Sequence, residues 1–377
     1  KHMTSLPQIS NSPSHWYRNL GREFSRAMVN NSELGSYIEP LVQHFKPYWS
    51  TNGHRAQVIE LLDESPEVFS IILKPSPGWP GFHAGQFVEI SVNQNGRRLS
   101  RCFSISSSPS TYEREGTIRL TVRIQEQGRV TPRLRQTLQA GDFIGLSMAK
   151  GEFILAAEPR PRLLIAGGSG ITPFRSMLGQ ISQSAESHNT TLMYYSGQEG
   201  SHLFEQELKA LSRANPHINV QLIATQEHGR FNAEHLADYC PGFASSDIYI
   251  CGPTGMIQSA KRVCVESGAS AEQIHFEYFG AAPIEHTAIE AAGFVAFNKS
   301  GQSVSSEGDQ PKSILSLAEQ SGLNPQSGCK MGLCGQCQCT KTSGVVYNTK
   351  TGLHSDTGRE SIKLCISVPV GDVAVDL

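Results

Sequence analysis

Four thiols near the C-terminal end of this 377-residue chain have the spacing of metal ligands. Cys329, Cys334 and Cys337 form C-x4-C-x2-C, and Cys365 follows after 27 intervening residues. Such a run wraps three thiolates around a centre and takes the fourth from a distant segment, the layout of a [2Fe–2S] site. A structural zinc favours C-x2-C pairs in two halves instead. Gly328, Gly332 and Gly335 let the loop close tightly with backbone amides turned toward sulfur. Cys339 exceeds what the centre needs, and a strand leaving the loop carries it away. Two more groups of residues could do chemistry. Arg101-Cys102-Phe103-Ser104 puts a cation, a ring and a hydroxyl within one short stretch. Leu163-Leu-Ile-Ala-Gly167-Gly168-Ser169-Gly170-Ile-Thr172-Pro173 is an apolar strand, a glycine turn and a helix start, where backbone amides can meet a diphosphate. Pro173 suits the first helical turn but stands where G-x-G-x-x-G would have its third glycine, so this is not that fingerprint.

The elements that must position these residues change character along the chain. Residues 1–50 read as an N-terminal helical extension, with Trp16, Tyr17, Phe45, Tyr48 and Trp49 as its aromatics. It is expected to pack as an arm on the next domain, with partner or membrane docking as the alternative. Residues 51–157 hold short β-branched and aromatic runs, at 54–61, 67–73, 86–92, 117–124 and 142–146, separated by turn residues. That pattern predicts a closed antiparallel β-barrel. Over 158–280, strands at 162–166, 191–196, 219–225 and 247–251 alternate with helices at 173–184, 202–214 and 256–267. This alternation predicts an α/β parallel, doubly wound sheet. Residues 281–292 read as a linker, and 293–377 as a small β-rich module with one helix at 313–321 ahead of the cysteine loop.

A formal net charge of -2 offers no electrostatic case for nucleic acid. No stretch approaches the roughly 18 apolar residues of a membrane span. Lys1-His2-Met3 opens no signal-peptide core, and nine cysteines, an odd count in a long chain, do not read as a disulfide framework. The expected location is cytoplasmic, at most transiently at a membrane surface through a partner.

The motifs, in this order, resemble the ferredoxin–NADP reductase superfamily with a C-terminal plant-type [2Fe–2S] ferredoxin domain of β-grasp fold. The closing run Leu364-Cys365-Ile-Ser-Val-Pro-Val-Gly-Asp-Val-Ala-Val-Asp376 is similar to the end of such ferredoxins. Arg101-Cys102-Phe103-Ser104 resembles the flavin signature Arg-x-Tyr-Ser, with Phe for Tyr. The resemblance implies that Arg101 pairs with the flavin diphosphate, Phe103 stacks on the isoalloxazine and Ser104 reaches its N5 edge, with one ring or ribityl hydrogen bond in doubt. Ala84-Gly85-Gln86-Phe87 resembles the family's Pro-Gly-Gln-Tyr/Phe, and Gly128-Arg129-Val130-Thr131 its pyrophosphate turn. Val122, Arg123 and Phe279 complete the implied flavin set. FAD is implied, with FMN as runner-up.

Gly167 to Gly170 with Thr172 and Pro173 resembles the family's nicotinamide-nucleotide turn, and Cys251-Gly252-Pro253 its Cys-Gly-Pro, whose thiol meets nicotinamide C4. Glu277 in His275-Phe-Glu-Tyr-Phe279 resembles the terminal Glu beside Ser104 and Cys251, a positioning group or proton relay. Thr225, Gln226, Arg230 and Met256 fill out the nucleotide set. Gln226 replaces the Arg of NADPH-specific relatives, while Arg230 can substitute for it, so NADH and NADPH both stay open.

The implied activity is that of an NAD(P)H:acceptor oxidoreductase, the electron-transfer component for an external oxygenase. The N-terminal arm and the Phe variant point to a membrane di-iron fatty-acyl desaturase or alkane hydroxylase as acceptor. A soluble oxygenase or hybrid-cluster protein is the alternative within the class, and a redox sensor or scaffold with structural cofactors the alternative outside it.

Overall fold

A computed structural model describes residues 42–51, 53–94, 97–125, 130–158, 160–184, 188–279, 293–308 and 310–377. Most of the expected N-terminal extension and all of the expected 281–292 linker lie outside them. Residues 42–45 form one helical turn, and Tyr48 packs edge-on against Phe143 at 4.9 Å.

The first sheet has six strands, β1 (His54–Ser65), β2 (Val68–Pro75), β3 (Phe87–Gln94), β4 (Arg97–Ser104), β5 (Ile118–Arg123) and β6 (Phe143–Leu146), in the order β4-β3-β6-β1-β2-β5. All pairs are antiparallel. A bridge from Ile105 to Leu120, supported by Ser106 N–H donating to Arg119 O at 2.8 Å, ties the end of β4 to β5 and closes the path. Alternating inward residues, among them Val58, Ile71, Val88, Ile90, Leu120 and Ile144, fill the interior. β4 was not among the runs expected from pattern. Its sequence Arg-Arg-Leu-Ser-Arg-Cys-Phe-Ser lacks β-branched residues, and pairing with β3 rather than propensity holds it extended. Two short helices flank this sheet, α1 (Pro109–Glu115), capped by Ser108, and α2 (Thr131–Thr137).

The second sheet is five parallel strands in the order β11-β10-β7-β8-β9, with β7 (Arg162–Gly167), β8 (Thr190–Ser196), β9 (Ile218–Ala224), β10 (Asp247–Gly252) and β11 (Ile274–Tyr278). α3 (Ile171–Ile181), α4 (Glu205–Ala214), α5 (Thr225–His228), α6 (Ala233–Tyr239) and α7 (Thr254–Glu266) connect them. Every residue of β7 and β10 is buried, as strands covered on both faces require. Helix α3 also joins the two sheets. Arg175 donates to Ser106 O at 2.5 Å, Ser176 Oγ donates to Ser107 O at 2.6 Å, and Gly179 passes against Ser108.

The third sheet runs β13-β12-β17-β14-β15, with β16 also paired to β14. Its strands are β12 (Phe294–Phe297), β13 (Gln302–Ser305), β14 (Gln338–Asn348), β15 (Leu353–His354), β16 (Glu360–Lys363) and β17 (Ser367–Val375). The first strand lies parallel to the last, and α8 (Ile314–Gln320), capped by Ser313, packs its apolar face onto them. The loop 321–337 between α8 and β14 carries three of the spaced thiols.

Candidate functional site

The four thiols meet as two pairs. Cys337 and Cys365 stand with sulfurs 3.0 Å apart. Cys329 and Cys334 form the other pair, with the Cys329 amide donating to Cys334 Sγ at 3.3 Å. Backbone amides of Met331, Leu333 and Cys334 all donate to Cys329 Sγ at 3.3 Å. This fan needs a left-handed turn, which Gly332 supplies at φ 72, while Lys330 accepts φ 56. Hydrogen bonds from Cys102 and Cys334 hold the Cys329 thiol far below the ordinary thiol range. The Cys337 thiol comes down to about 7, chiefly through Cys365. Two thiol pairs with amide donors suit a centre of two irons and disfavour one tetrahedral zinc. Cys339 lies beyond the loop on β14, half-buried, its thiol turned to the Thr340 carbonyl.

The loop rests on the first sheet. Gln336 Nε2 donates to Glu89 Oε1, and Arg101 Nη1 donates to Ser327 O at 3.3 Å and to Ser100 O at 2.7 Å. In the β3–β4 ladder Phe87 faces Ser104 and Glu89 faces Cys102. Alternation puts these two pairs in succession on the outer face, about 7 Å apart, while Val88 and Phe103 turn toward the barrel core. Phe87 and Ser104 are buried. A side chain built at Gly151 would stand 3.1 Å from the Phe87 ring and 3.8 Å from Glu277 Oε1, so the β11 carboxylate comes to the same place. Gln86 braces that corner, donating to Gly151 O at 3.2 Å and accepting from His83 N at 2.9 Å.

Glu277 pairs in register with Cys251 on the neighbouring strand. It is 8% exposed, its Oε2 meets no partner among the described residues, and burial pushes its carboxyl up to about 8. Cys251 is fully buried, and burial followed by the Glu277 charge raises its thiol. An orphaned buried carboxylate oxygen beside a thiol, with an aromatic ring on the other side of Gly151, is a polar set awaiting a partner, and it fits a flavin ring with an exchangeable proton.

The glycine turn and Cys251-Gly252-Pro253 stand side by side because β7 and β10 are adjacent at the point where the strand order reverses, the ligand crevice of such sheets. A methyl at Gly170 would strike the Cys251 carbonyl, and one at Gly167 would strike Met256. Gly167, Gly168, Ser169, Thr225, Gln226, Arg230, Pro253 and Met256 line a cavity of about 1060 Å³, at the upper end of the ~300–1,000 Å³ of small-molecule sites. Gly170, Thr172, Pro173, Cys251 and Gly252 do not line it; they are buried behind the turn, with Thr172 Oγ1 donating to Ser169 O at 3.0 Å. A backbone cradle closed by two glycines, at the start of a helix, fits a dinucleotide phosphate.

Several expected residues sit elsewhere than the resemblance implied. Arg123 lines the nucleotide cavity, paired with Glu67 at 2.9 Å and with Nη1 near Gly168. Val122 points into the barrel core, leaving only its backbone for a ligand. Val130 and Thr131 are buried at the start of α2, where Thr131 Oγ1 accepts from Gln125 N at 2.9 Å. Gly128 and Arg129 lie outside the described residues. Phe279 is exposed. Sequence reasoning missed Tyr194, which donates to Gly168 O at 3.0 Å and accepts from Leu203 N at 3.1 Å, bracing the glycine turn from β8. It also missed Ser196, Ser201 and Phe231 in the cavity wall. No local pattern marks Tyr194 or Ser196, since β8 reads only as an apolar strand, and Ser201 and Phe231 reach the wall only through the loops after β8 and β9.

Comparison with known proteins agrees with this division. The oxidoreductase FAD-binding domain family matches residues 57–154, the oxidoreductase NAD-binding domain family 164–262, and the 2Fe-2S iron-sulfur cluster binding domain family 297–370. The chain is 27% identical over 335 residues to an NADPH oxidoreductase of Mycobacterium tuberculosis, covering 88% of this chain and 86% of that one. It is 25% identical over 361 residues to the glycine betaine monooxygenase reductase subunit of Chromohalobacter salexigens, covering 87% and 96%. The structure of phthalate dioxygenase reductase superposes with a TM-score of 0.57 at 23% identity, over 86% of this chain and 97% of that one, and so shares the fold.

Proposed function

We propose, from the premise that this chain belongs to the ferredoxin–NADP reductase superfamily with a C-terminal 2Fe-2S domain, that it carries electrons from NAD(P)H to an external oxygenase. It is an oxidoreductase of ferredoxin-reductase type. The observation that carries the proposal is the outer face of β3–β4. Phe87, the cross-strand partner of Ser104, meets Gly151 beside Glu277 of the parallel sheet, and the next pair, Glu89 and Cys102, meets the cysteine loop. One strand pair thus touches both neighbouring domains within about two residues.

When bound, the flavin takes two electrons from the nicotinamide and releases them singly to the iron–sulfur centre, which carries one at a time. Everything else is placement by this chain. The 167–170 turn and the start of α3 hold the nucleotide diphosphate, with Thr172 and Pro173 shaping the turn. Cys251, Gly252 and Pro253 back the nicotinamide ring, and Met256 packs beside it. Ser104 donates a hydrogen bond at the flavin edge, and Glu277, protonated below about pH 8, holds a proton there. Arg101, Gln86, Phe87 and the 128–131 turn form the flavin seat, with Phe103 supporting it from the barrel core, and Cys329, Cys334, Cys337 and Cys365 ligate iron. Arg230, in the wall next to Thr225 and Gln226, presents a guanidinium that suits a 2′-phosphate and so favours NADPH.

The acceptor is the finer part of the reading. The relatives are named for glycine betaine monooxygenase, stachydrine N-demethylase and a heme-dependent oxidative N-demethylase, none of them a desaturase. No helix among the described residues is long and apolar enough to cross a membrane. A membrane desaturase or hydroxylase rests on the N-terminal segment and the Phe103 variant alone, so the broader class, an oxygenase, is the reading we adopt. The test is steady-state reduction of ferricyanide and cytochrome c with each nucleotide, followed by oxygenase reconstitution. Turnover with both acceptors is expected. Absence of turnover in flavin- and iron-loaded protein would leave only a scaffold.

A further inference from the structure

The second residue of Arg101-Cys102-Phe103-Ser104 has no role in holding a flavin that its chemistry demands, yet it is aimed at the cysteine loop. The Cys102 thiol lies within hydrogen-bonding reach of the sulfurs of both Cys329 and Cys334. Two contacts independent of that thiol fix the approach. Its cross-strand partner Glu89 accepts from Gln336, midway between Cys334 and Cys337. Arg101, the preceding residue, donates to the Ser327 carbonyl at 3.3 Å, two residues before Cys329. The loop is therefore seated from both sides of Cys102. Gly328 is pressed so closely that an added methyl would stand 2.8 Å from Cys334 Sγ. Cys102 is half-buried.

We propose that Cys102 is a positioning residue of the iron–sulfur centre, an outer donor supplied by the flavin domain whose S–H hydrogen-bonds to the Cys329 and Cys334 sulfurs. The inference rests on the reading of those four thiols as cluster ligands. Its physical content is electrostatic. One-electron reduction adds negative charge that spreads onto the ligand sulfurs, and a donor aimed at them favours the reduced form. The amides of Met331, Leu333 and Cys334 do this from within the loop. Cys102 does it from another domain, so the potential depends on the cluster module being seated on β3–β4. Reduction is then easiest in the docked arrangement in which the flavin is near. Cys102 is not a fifth ligand, because Cys329 pairs with Cys334, and Cys337 with Cys365, without it.

The test is an EPR-monitored redox titration of the full chain loaded with FAD and iron, comparing Cys102→Ala, Cys102→Ser and the parent. Loss of the donor is expected to move the reduction equilibrium about threefold toward the oxidised form, about 28 mV at ~59 mV per tenfold for one electron. Serine, which keeps an O–H donor, is expected to recover most of that shift. The g-values and iron content are expected to stay as in the parent. A second measurement uses the parent alone. Pulsed EPR in D2O should show an exchangeable deuteron coupled to the reduced centre that is not an amide, since amides in the loop exchange more slowly than a thiol. An unchanged potential in Cys102→Ala, or no such deuteron, overturns the donor role while leaving the reductase reading intact. Changed g-values or lost iron in Cys102→Ala would make Cys102 a ligand, which also overturns it. A parent protein with no [2Fe–2S] signal would instead sink the underlying reading of the four thiols.

Discussion

The cysteine loop and the nucleotide crevice are built on opposite plans. The loop is local. Three of its thiols lie within nine residues, its own amides satisfy the sulfurs, and its glycine supplies the one conformation that lets them converge. The crevice is assembled. One side comes from the 167–169 turn after β7, another from Pro253 and Met256 after β10, a third from Thr225, Gln226 and Arg230 after β9, and part of its wall from Glu67 and Arg123 of the neighbouring sheet. A local site tolerates changes elsewhere in the fold but fails when a ligand is removed. An assembled site shares its load over many residues and is sensitive to backbone spacing between elements.

Four substitutions test that contrast. Cys337→Ser is expected to raise the ratio of ferricyanide to cytochrome c reduction by about 100-fold, because removing a ligand disables the local site and spares the assembled one. Equal loss of both activities would show that the two sites are not separable. Gly170→Ala drives a methyl into the Cys251 carbonyl, pushing β7 and β10 apart. A rise in nucleotide KM of about tenfold is expected, from about 1–3 kcal/mol of overpacking. The [2Fe–2S] absorbance should be unchanged, and a bleached cluster would mean that the crevice and the loop are mechanically one unit.

Arg230→Ala is expected to lower the kcat/KM preference for NADPH over NADH about fivefold, the loss of one partly exposed guanidinium–phosphate contact. An unchanged ratio would assign discrimination to other residues of the wall. Glu277→Gln addresses the smallest effect. Its carboxyl rises from the ordinary 4.5 to about 8 on folding, through burial. Between those values the folded chain keeps a proton that the unfolded chain has released, so stability falls as pH rises across the window. The Gln variant should flatten that slope, seen as a smaller drop in Tm between pH 5 and pH 8 than in the parent. A parallel slope in parent and variant would place the titration elsewhere.

How much of this was legible beforehand follows from where each site keeps its information. The C-x4-C-x2-C run, the Gly167–Gly170 turn and Cys251-Gly252-Pro253 are contiguous, so their spacing can be read directly from the chain. β4 was missed as a strand although its last four residues were singled out, because Arg, Ser and Cys have no strand preference and only the register with β3 holds them extended. Arg123 was assigned to the flavin and lies in the nucleotide cavity, because a side chain at a strand end can reach either domain.

Covalent spacing alone set out the C-x4-C-x2-C run, the glycine turn and the order of the three domains, since those are read from residues along the chain. Only the tertiary structure decided that Tyr194 braces the glycine turn, that Glu277 is buried with an unpartnered oxygen next to Cys251, and that Cys102 turns toward Cys329. Each of those is a relation between segments tens to hundreds of residues apart. Strand order, register and the docking of one sheet on another create such relations, and no local pattern records them.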